Sequence, residues 1–158
     1  LMEEYRELSH EAKAKGLAVV LWAYARGSNI SKKGETAMNI ISYAAHMSAL
    51  LGANIIKVKL PSDFLEEDPT KAAFENNNIA IGTLQERVAH IKKVAFEGKR
   101  LVVFSGGDAK DDNALMEEIK AIHLGGGNGS IIGRNCFQRT REDSLVLLDQ
   151  MIQIYKSK

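Results

Sequence analysis

Hydrophobic residues occur along the chain as short apolar runs separated by longer amphipathic stretches. The runs have the length of strands that are covered on both faces, and they lie at 17–22, 54–59, 100–104 and 130–132. The stretches have apolar residues at helical spacing and predict helices at 1–15, 36–51, 83–97, 112–123 and 143–155. Glycines that can end the first four helices follow at 16, 52, 98 and 125.

This alternation predicts the class of fold. Four buried strands separated by helices indicate parallel βα units, because a parallel connection needs a crossover of a dozen or more residues. Residues 23–35 are predicted to be a loop, and 60–82 a long irregular segment. An open doubly wound sheet and part of a (βα)8 barrel both fit this order. In either fold the chemistry gathers at the carboxyl ends of the strands.

Composition narrows the classes of partner. The chain has 158 residues, 45% of them hydrophobic and 26% charged, which is typical of one soluble globular domain. Its net charge is +1 with no basic block, so no nucleic-acid partner is expected. Its apolar runs are too short to cross a bilayer, so no membrane partner is expected. A single cysteine, Cys136, is typical of a reducing, cytoplasmic compartment.

Two lysines mark the end of the second predicted strand. Lys57 and Lys59 are two residues apart, so both side chains point to one face of the sheet. Buried strand lysines are rare, since an unpaired ammonium is costly to remove from water. Burial and a second nearby cation both favour the neutral amine, which is the nucleophile in imine formation with a ketose. The alternative is that the strand ends at Ile56 and both lysines are solvated.

Glycine-rich segments follow the third and fourth predicted strands. Ser105, Gly106 and Gly107 follow one strand, and Gly133 and Arg134 follow the next. Glycines let backbone N–H groups approach an anion, and the guanidinium group of an arginine can bind a phosphate through two hydrogen bonds. This pair of segments therefore predicts a phosphate site. The alternative is ordinary strand-to-helix turns with a surface arginine.

Two aromatic residues share a face at the end of the first predicted strand. Tyr24 could transfer a proton there, and Trp22 lies two residues earlier. The alternative is that both are core aromatics. No metal site is expected, because the four histidines fall in predicted helices without ligand spacing and the acidic stretch 63–68 is typical of a solvated loop.

With these residues laid out, the sequence resembles the archaeal-type class I fructose-bisphosphate aldolases. The stretches that carry the resemblance run in family order through nearly the whole chain: VVLWAYARG (19–27), GETA (34–37), YAAH (43–46), GANIIKVK (52–59), FSGG (104–107) and IIGRNCFQR (131–139). The resemblance implies that these are four consecutive βα units, the C-terminal half of a (βα)8 TIM barrel.

The resemblance also implies roles for the candidate residues. Lys57 corresponds to the Schiff-base lysine and Tyr24 to the acid–base tyrosine, so the implied reaction is imine formation at the ketose C2 followed by C3–C4 cleavage. The remaining candidates are implied to bind the phosphorylated ketose: Trp22, Arg26, Lys59, Ser105, Gly106, Gly107, Gly133 and Arg134. No cofactor or metal is implied, and a homo-oligomer is expected for the full-length protein.

One departure from the family is large. Its first four βα units, with an aspartate near the end of strand 1, have no counterpart, so residues 1–158 are expected to be a partial barrel of strands 5 to 8. Such a half barrel has two unpaired strand edges and an uncovered core face. We therefore expect a truncated product, or the ordered half of a longer chain, without activity of its own. Alternative functions are a related imine-forming synthase or thiolase, or a noncatalytic phosphosugar-binding module.

Overall fold

The structure, a computed structural model, describes residues 2–107 and 109–157. Its helices and strands alternate in the predicted βα order. In chain order they are α1 (Met2–Ala14), β1 (Val20–Trp22), a 3₁₀ turn (Gly34–Thr36), α2 (Met38–Leu50), β2 (Ile55–Val58), α3 (Asp68–Asn76), α4 (Leu84–Val94), β3 (Leu101–Ser105), α5 (Asp112–Leu124), β4 (Gly129–Ile131), α6 (Arg134–Phe137) and α7 (Arg141–Lys156).

The four strands form one parallel sheet in the order β1-β2-β3-β4. The register aligns Trp22 with Lys57, Lys57 with Val103, and Val103 with Gly129. The prediction of consecutive parallel βα units is therefore confirmed. The uninterrupted order excludes a doubly wound sheet, in which the strand order reverses.

One face of the sheet carries the core. Ile56, Val58, Val102 and Phe104 alternate along β2 and β3 and are fully buried against the helices. The helices contribute a second apolar layer that includes Met38, Ile41 and Ala45 of α2, Val88 and Ile91 of α4, and Ile122 of α5. Fully burying one such side chain contributes about 1.5–3 kcal/mol. This layer fixes β2 and β3, whose carboxyl ends carry the lysines and the first glycine segment.

The other face of the sheet is open over most of its area. Val20, Trp22, Leu101 and Ile131 lie on this face and are 43–63% exposed. They alternate with the buried residues because side chains on a strand point to opposite faces. Lys57 lies on the same open face yet is buried. Within the described residues, no helix combines the length and apolar character needed to cross a membrane.

Two helices were not predicted. Residues 68–76, inside the segment predicted to be irregular, form α3 with Pro69 in its first turn. No residue of α3 is buried, and only Phe74 of this helix packs partly against the core. At nine residues, α3 is also shorter than the windows of about 11 to 18 residues in which helical periodicity is read. The four-residue α6 directly after Gly133 is shorter than the windows in which helical periodicity is detectable.

Several element ends also differ from the prediction. The first strand begins at Val20 instead of 17, because the Leu17 N–H donates to the Ala12 carbonyl at 3.0 Å and closes the end of α1. The second helix begins at Met38 instead of 36, because Thr36 belongs to the 3₁₀ turn and Ala37 precedes α2. Thr83 caps α4 in a reciprocal capping box with Glu86. The predicted start of the first helix at residue 1 lies outside the described residues.

Candidate active site

Lys57 has the environment expected of a functional lysine. It is the third residue of β2, and its side chain is 7% exposed. Among the described residues it is the only acidic or basic side chain classed as buried. Buried ionisable groups concentrate at functional sites because their desolvation must be compensated. The alternative in which the strand ends at Ile56 is therefore wrong.

Two aromatic rings, one at the end of β1 and one just after it, lie close to the Lys57 amine. Its Nζ lies 3.6 Å from the ring centroid of Trp22 and 5.8 Å from that of Tyr24. The two rings are 6.3 Å apart and tilted by 41°. Because Trp22 is the register partner of Lys57, the three side chains meet on the open face. Ring faces attract an ammonium group, and the rings also keep water from much of its surface.

Lys59 forms an ion pair with Glu35, so its positive charge is partly compensated. Its Nζ donates to Oε2 of Glu35 at 2.6 Å, and the two side chains are 22% and 18% exposed. The hydrogen bond from Lys59, followed by one from Lys32, lowers the pKa of Glu35 from its ordinary 4.5 to about 2. Sequence reasoning missed Glu35, because a glutamate 24 residues before its partner gives no local signal.

The turn that carries Glu35 is fixed to the loop after β2. The Ser31 N–H and hydroxyl both donate to the Glu66 carboxylate at 2.7 Å, which lowers the pKa of Glu66. The Ser62 N–H donates to the Thr36 carbonyl at 2.8 Å. These bonds join the loops after β1 and β2, and they give Glu66 of the acidic stretch a structural role.

The two glycine segments also converge. Nη2 of Arg134 donates to the Gly107 carbonyl at 3.2 Å. Nδ2 of Asn135, which is only 3% exposed, donates to the Gly106 carbonyl at 3.3 Å, and its Oδ1 accepts from the Lys110 N–H at 2.8 Å. Sequence reasoning missed Asn135, which links the loop after β3 to the start of α6. These contacts bring together the segments predicted to form a phosphate site.

Gly106 contributes through its small size. Its N–H donates to the Ile131 carbonyl at 3.2 Å, so this N–H is occupied within the sheet. A Cβ at Gly106 would lie 2.8 Å from Cγ2 of Ile132. Gly107 has a φ of +64°, a conformation that glycine adopts readily. The pair therefore allows β3 and β4 to approach closely and then turn.

The other predicted residues occupy more peripheral positions. Ser105 is the last residue of β3 and pairs with Ile131. Gly133 precedes α6 and is exposed, and Arg26 is exposed in the loop after β1. Among residues 2–107 and 109–157, no group of three or more histidine, cysteine, aspartate or glutamate side chains is arranged to hold a metal ion.

Sequence comparison connects this geometry to known proteins. Residues 2–139 match the model of the DeoC/LacD family of aldolases. A probable class 1 fructose-bisphosphate aldolase of Chlamydia muridarum is 31% identical, over 91% of this chain and 44% of its own length. A class 1 fructose-bisphosphate aldolase of Halobacterium salinarum is 30% identical, over 88% of this chain and 43% of its own length.

Structural comparison agrees. An archaeal fructose-1,6-bisphosphate aldolase, solved with its catalytic lysine covalently bound to the carbinolamine intermediate, superposes with a TM-score of 0.76 at 25% identity. The match covers 99% of this chain and 52% of that structure. The chain therefore has the fold of four consecutive βα units of a TIM barrel, and it spans about half the length of the relatives it matches. The chain belongs to the DeoC/LacD family of aldolases.

Proposed function

We propose that this chain carries the Schiff-base half of a class I fructose-bisphosphate aldolase, with Lys57 as the nucleophile. The observation that carries the proposal is the buried Lys57 amine, 3.6 Å from the Trp22 ring at the carboxyl end of β2. The chlamydial and halobacterial relatives bear the name of this activity and support it. Because the chain spans about half of their length, the reaction is proposed for a complete barrel that contains these residues.

The proposed reaction begins at the ketone. The neutral Lys57 amine adds to C2 of fructose 1,6-bisphosphate, and loss of water from the carbinolamine gives a protonated imine. Tyr24 then takes the proton of the C4 hydroxyl. The C3–C4 bond breaks, glyceraldehyde 3-phosphate leaves, and the electron pair passes to the imine nitrogen as an enamine. Protonation at C3 and hydrolysis release dihydroxyacetone phosphate and restore the amine.

The glycine segments are proposed to bind one substrate phosphate. Arg134 lies against the Gly107 carbonyl, and Ser105, Gly106 and Gly133 surround the same corner between β3 and β4. A guanidinium can bind phosphate through two parallel hydrogen bonds. Arg26, in the loop after β1, is proposed to meet the other phosphate. Lys59 is proposed to act at the end of β2 together with Glu35.

Turnover of fructose 1,6-bisphosphate by the natural polypeptide that carries these residues tests the assignment. Lys57→Met should abolish cleavage, whereas Tyr24→Phe should lower kcat roughly 10²–10⁴-fold, the usual contribution of a proton-transferring side chain. Lys93→Met, on the exposed side of α4, is the control and should leave kcat unchanged. Cleavage that survives Lys57→Met would refute the assignment. Bound but uncleaved sugar phosphate in the unmodified protein would indicate the noncatalytic module instead.

The setting of the reaction is part of the proposal. The free thiol of Cys136 is compatible with a reducing compartment, and we propose that the protein works in the cytoplasm as a homo-oligomer. Sedimentation of the natural protein measures its oligomeric state, and a monomer at micromolar concentration would contradict the proposed homo-oligomer.

A further inference from the structure

Three ionisable side chains belong to the end of β2 or contact it. Lys57 and Lys59 are two residues apart, and Glu35 reaches Lys59 from the 3₁₀ turn before α2. The Glu35–Lys59 hydrogen bond is 2.6 Å long, whereas the second partner of Glu35, Lys32, is 3.1 Å away and 91% exposed. Lys59 is therefore the less solvated partner of this carboxylate.

No other charge is described facing the Lys57 amine from the neighbouring strands. The side chains that neighbour it are the ring of Trp22 at the end of β1, the ring of Tyr24 just after that strand, and the apolar Val103 of β3. Lys59, two residues further along the chain, and its partner Glu35 are charged groups at the same end of β2.

We propose that Glu35 is a positioning residue: it holds the Lys59 ammonium at the end of β2 and offsets the positive charge that Lys59 places beside Lys57. The catalytic meaning of this proposal rests on the proposed aldolase function, whereas the charge arrangement does not. In this arrangement Lys59 repels the Lys57 ammonium less than an unpaired cation would.

The two members of the pair should act on Lys57 in opposite directions. Glu35→Gln leaves an uncompensated cation, so Lys57 should lose its proton at lower pH. Lys59→Met leaves an uncompensated carboxylate, so Lys57 should keep its proton to higher pH.

The test is a titration of the Lys57 side chain in the natural polypeptide. Lysine labelled with ¹³C at Cε reports protonation directly, and the Lys57 signal is identified by its loss in Lys57→Met. We expect the midpoint to fall in Glu35→Gln, to rise in Lys59→Met, and to return close to the unmodified value in the double variant. Glu35→Asp, which keeps the charge, should stay near the unmodified value.

Glu66→Gln is the matched control. Glu66 fixes the same loop through Ser31 but does not contact Lys59, so its loss should leave the Lys57 midpoint unchanged. Shifts of the same sign in Glu35→Gln and Lys59→Met, or an equal shift in Glu66→Gln, would overturn the proposal in favour of a purely structural role. Opposite shifts without any imine formation would support the charge arrangement and refute the aldolase function. A failure of the charge arrangement can therefore be distinguished from a failure of the aldolase function.

Discussion

Gly106→Ala tests how closely the ends of β3 and β4 must approach for the loop at Arg134 to form. A Cβ on Gly106 would lie 2.8 Å from Cγ2 of Ile132 and 3.3 Å from its Cα. Carbon atoms pack best at about 3.5–4.0 Å, so the closest contact is too short by roughly 0.7–1.2 Å. The Cγ2 atom can move with a rotamer change, but the Cα can move only with the strand.

The expected cost of this substitution is steric. Gly106 does not have a positive φ, so alanine adopts its backbone conformation without strain. Overpacking of this kind costs about 1–3 kcal/mol. The displacement should also separate Arg134 from Gly107, so inorganic phosphate should bind at least about tenfold more weakly, as a loss of about 1.4 kcal/mol implies.

Urea unfolding and phosphate titration of the natural polypeptide measure the two effects. Gly129→Ala on the neighbouring strand is the control, because its Cβ would meet Val103 at an ordinary 3.6 Å. We expect that control to change the free energy of unfolding by less than about 0.5 kcal/mol. If Gly106→Ala is as stable as Gly129→Ala and binds phosphate equally well, the close-packing explanation of this glycine is wrong.

Three further predictions concern the phosphate site and stability. Arg134→Ala should raise KM for fructose 1,6-bisphosphate roughly 10- to 100-fold in steady-state assays, because a charged hydrogen bond contributes about 1.5–3 kcal/mol, and an unchanged KM would remove Arg134 from the site. Thr83→Ala should lower the free energy of unfolding by about 1 kcal/mol in urea titrations, since it removes the capping box of α4, and no loss would contradict that role. The folded-state pKa of Glu35 is depressed from 4.5 to about 2, so its stabilisation is complete above pH 4.5 and is lost as pH falls toward 2. Acid titration of unfolding should therefore be less steep in Glu35→Gln, and identical curves would argue against the ion pair.

The sheet was predictable because its signals are local. Runs such as 17–22 are apolar, contain β-branched residues and follow helices that end at a glycine, so their assignment as strands follows from the local pattern. The carboxyl ends of parallel strands lie at one edge, which is why Lys57, Tyr24 and Trp22 could be grouped before any coordinates. The observed ring contacts fit that grouping.

The parts that escaped prediction depend on contacts between distant segments. Glu35 meets Lys59 only because the 3₁₀ turn packs against the loop after β2. Asn135 is buried only because the ends of β3 and β4 approach across Gly106. Helix α3 is only nine residues long, which is too short for its periodicity to be read with certainty. In each case the sequence contains the residues but no pattern that links them.

Locating the covalent intermediate tests the Schiff-base assignment of Lys57 most directly. The natural polypeptide is incubated with isotopically labelled dihydroxyacetone phosphate, reduced with borohydride, digested and mapped by mass spectrometry. We expect one reduced adduct, on the peptide that contains Lys57, present in Tyr24→Phe and absent in Lys57→Met. An adduct on Lys59 in place of Lys57 would mean that the wrong lysine has been assigned, and no adduct on either would contradict the Schiff-base function itself.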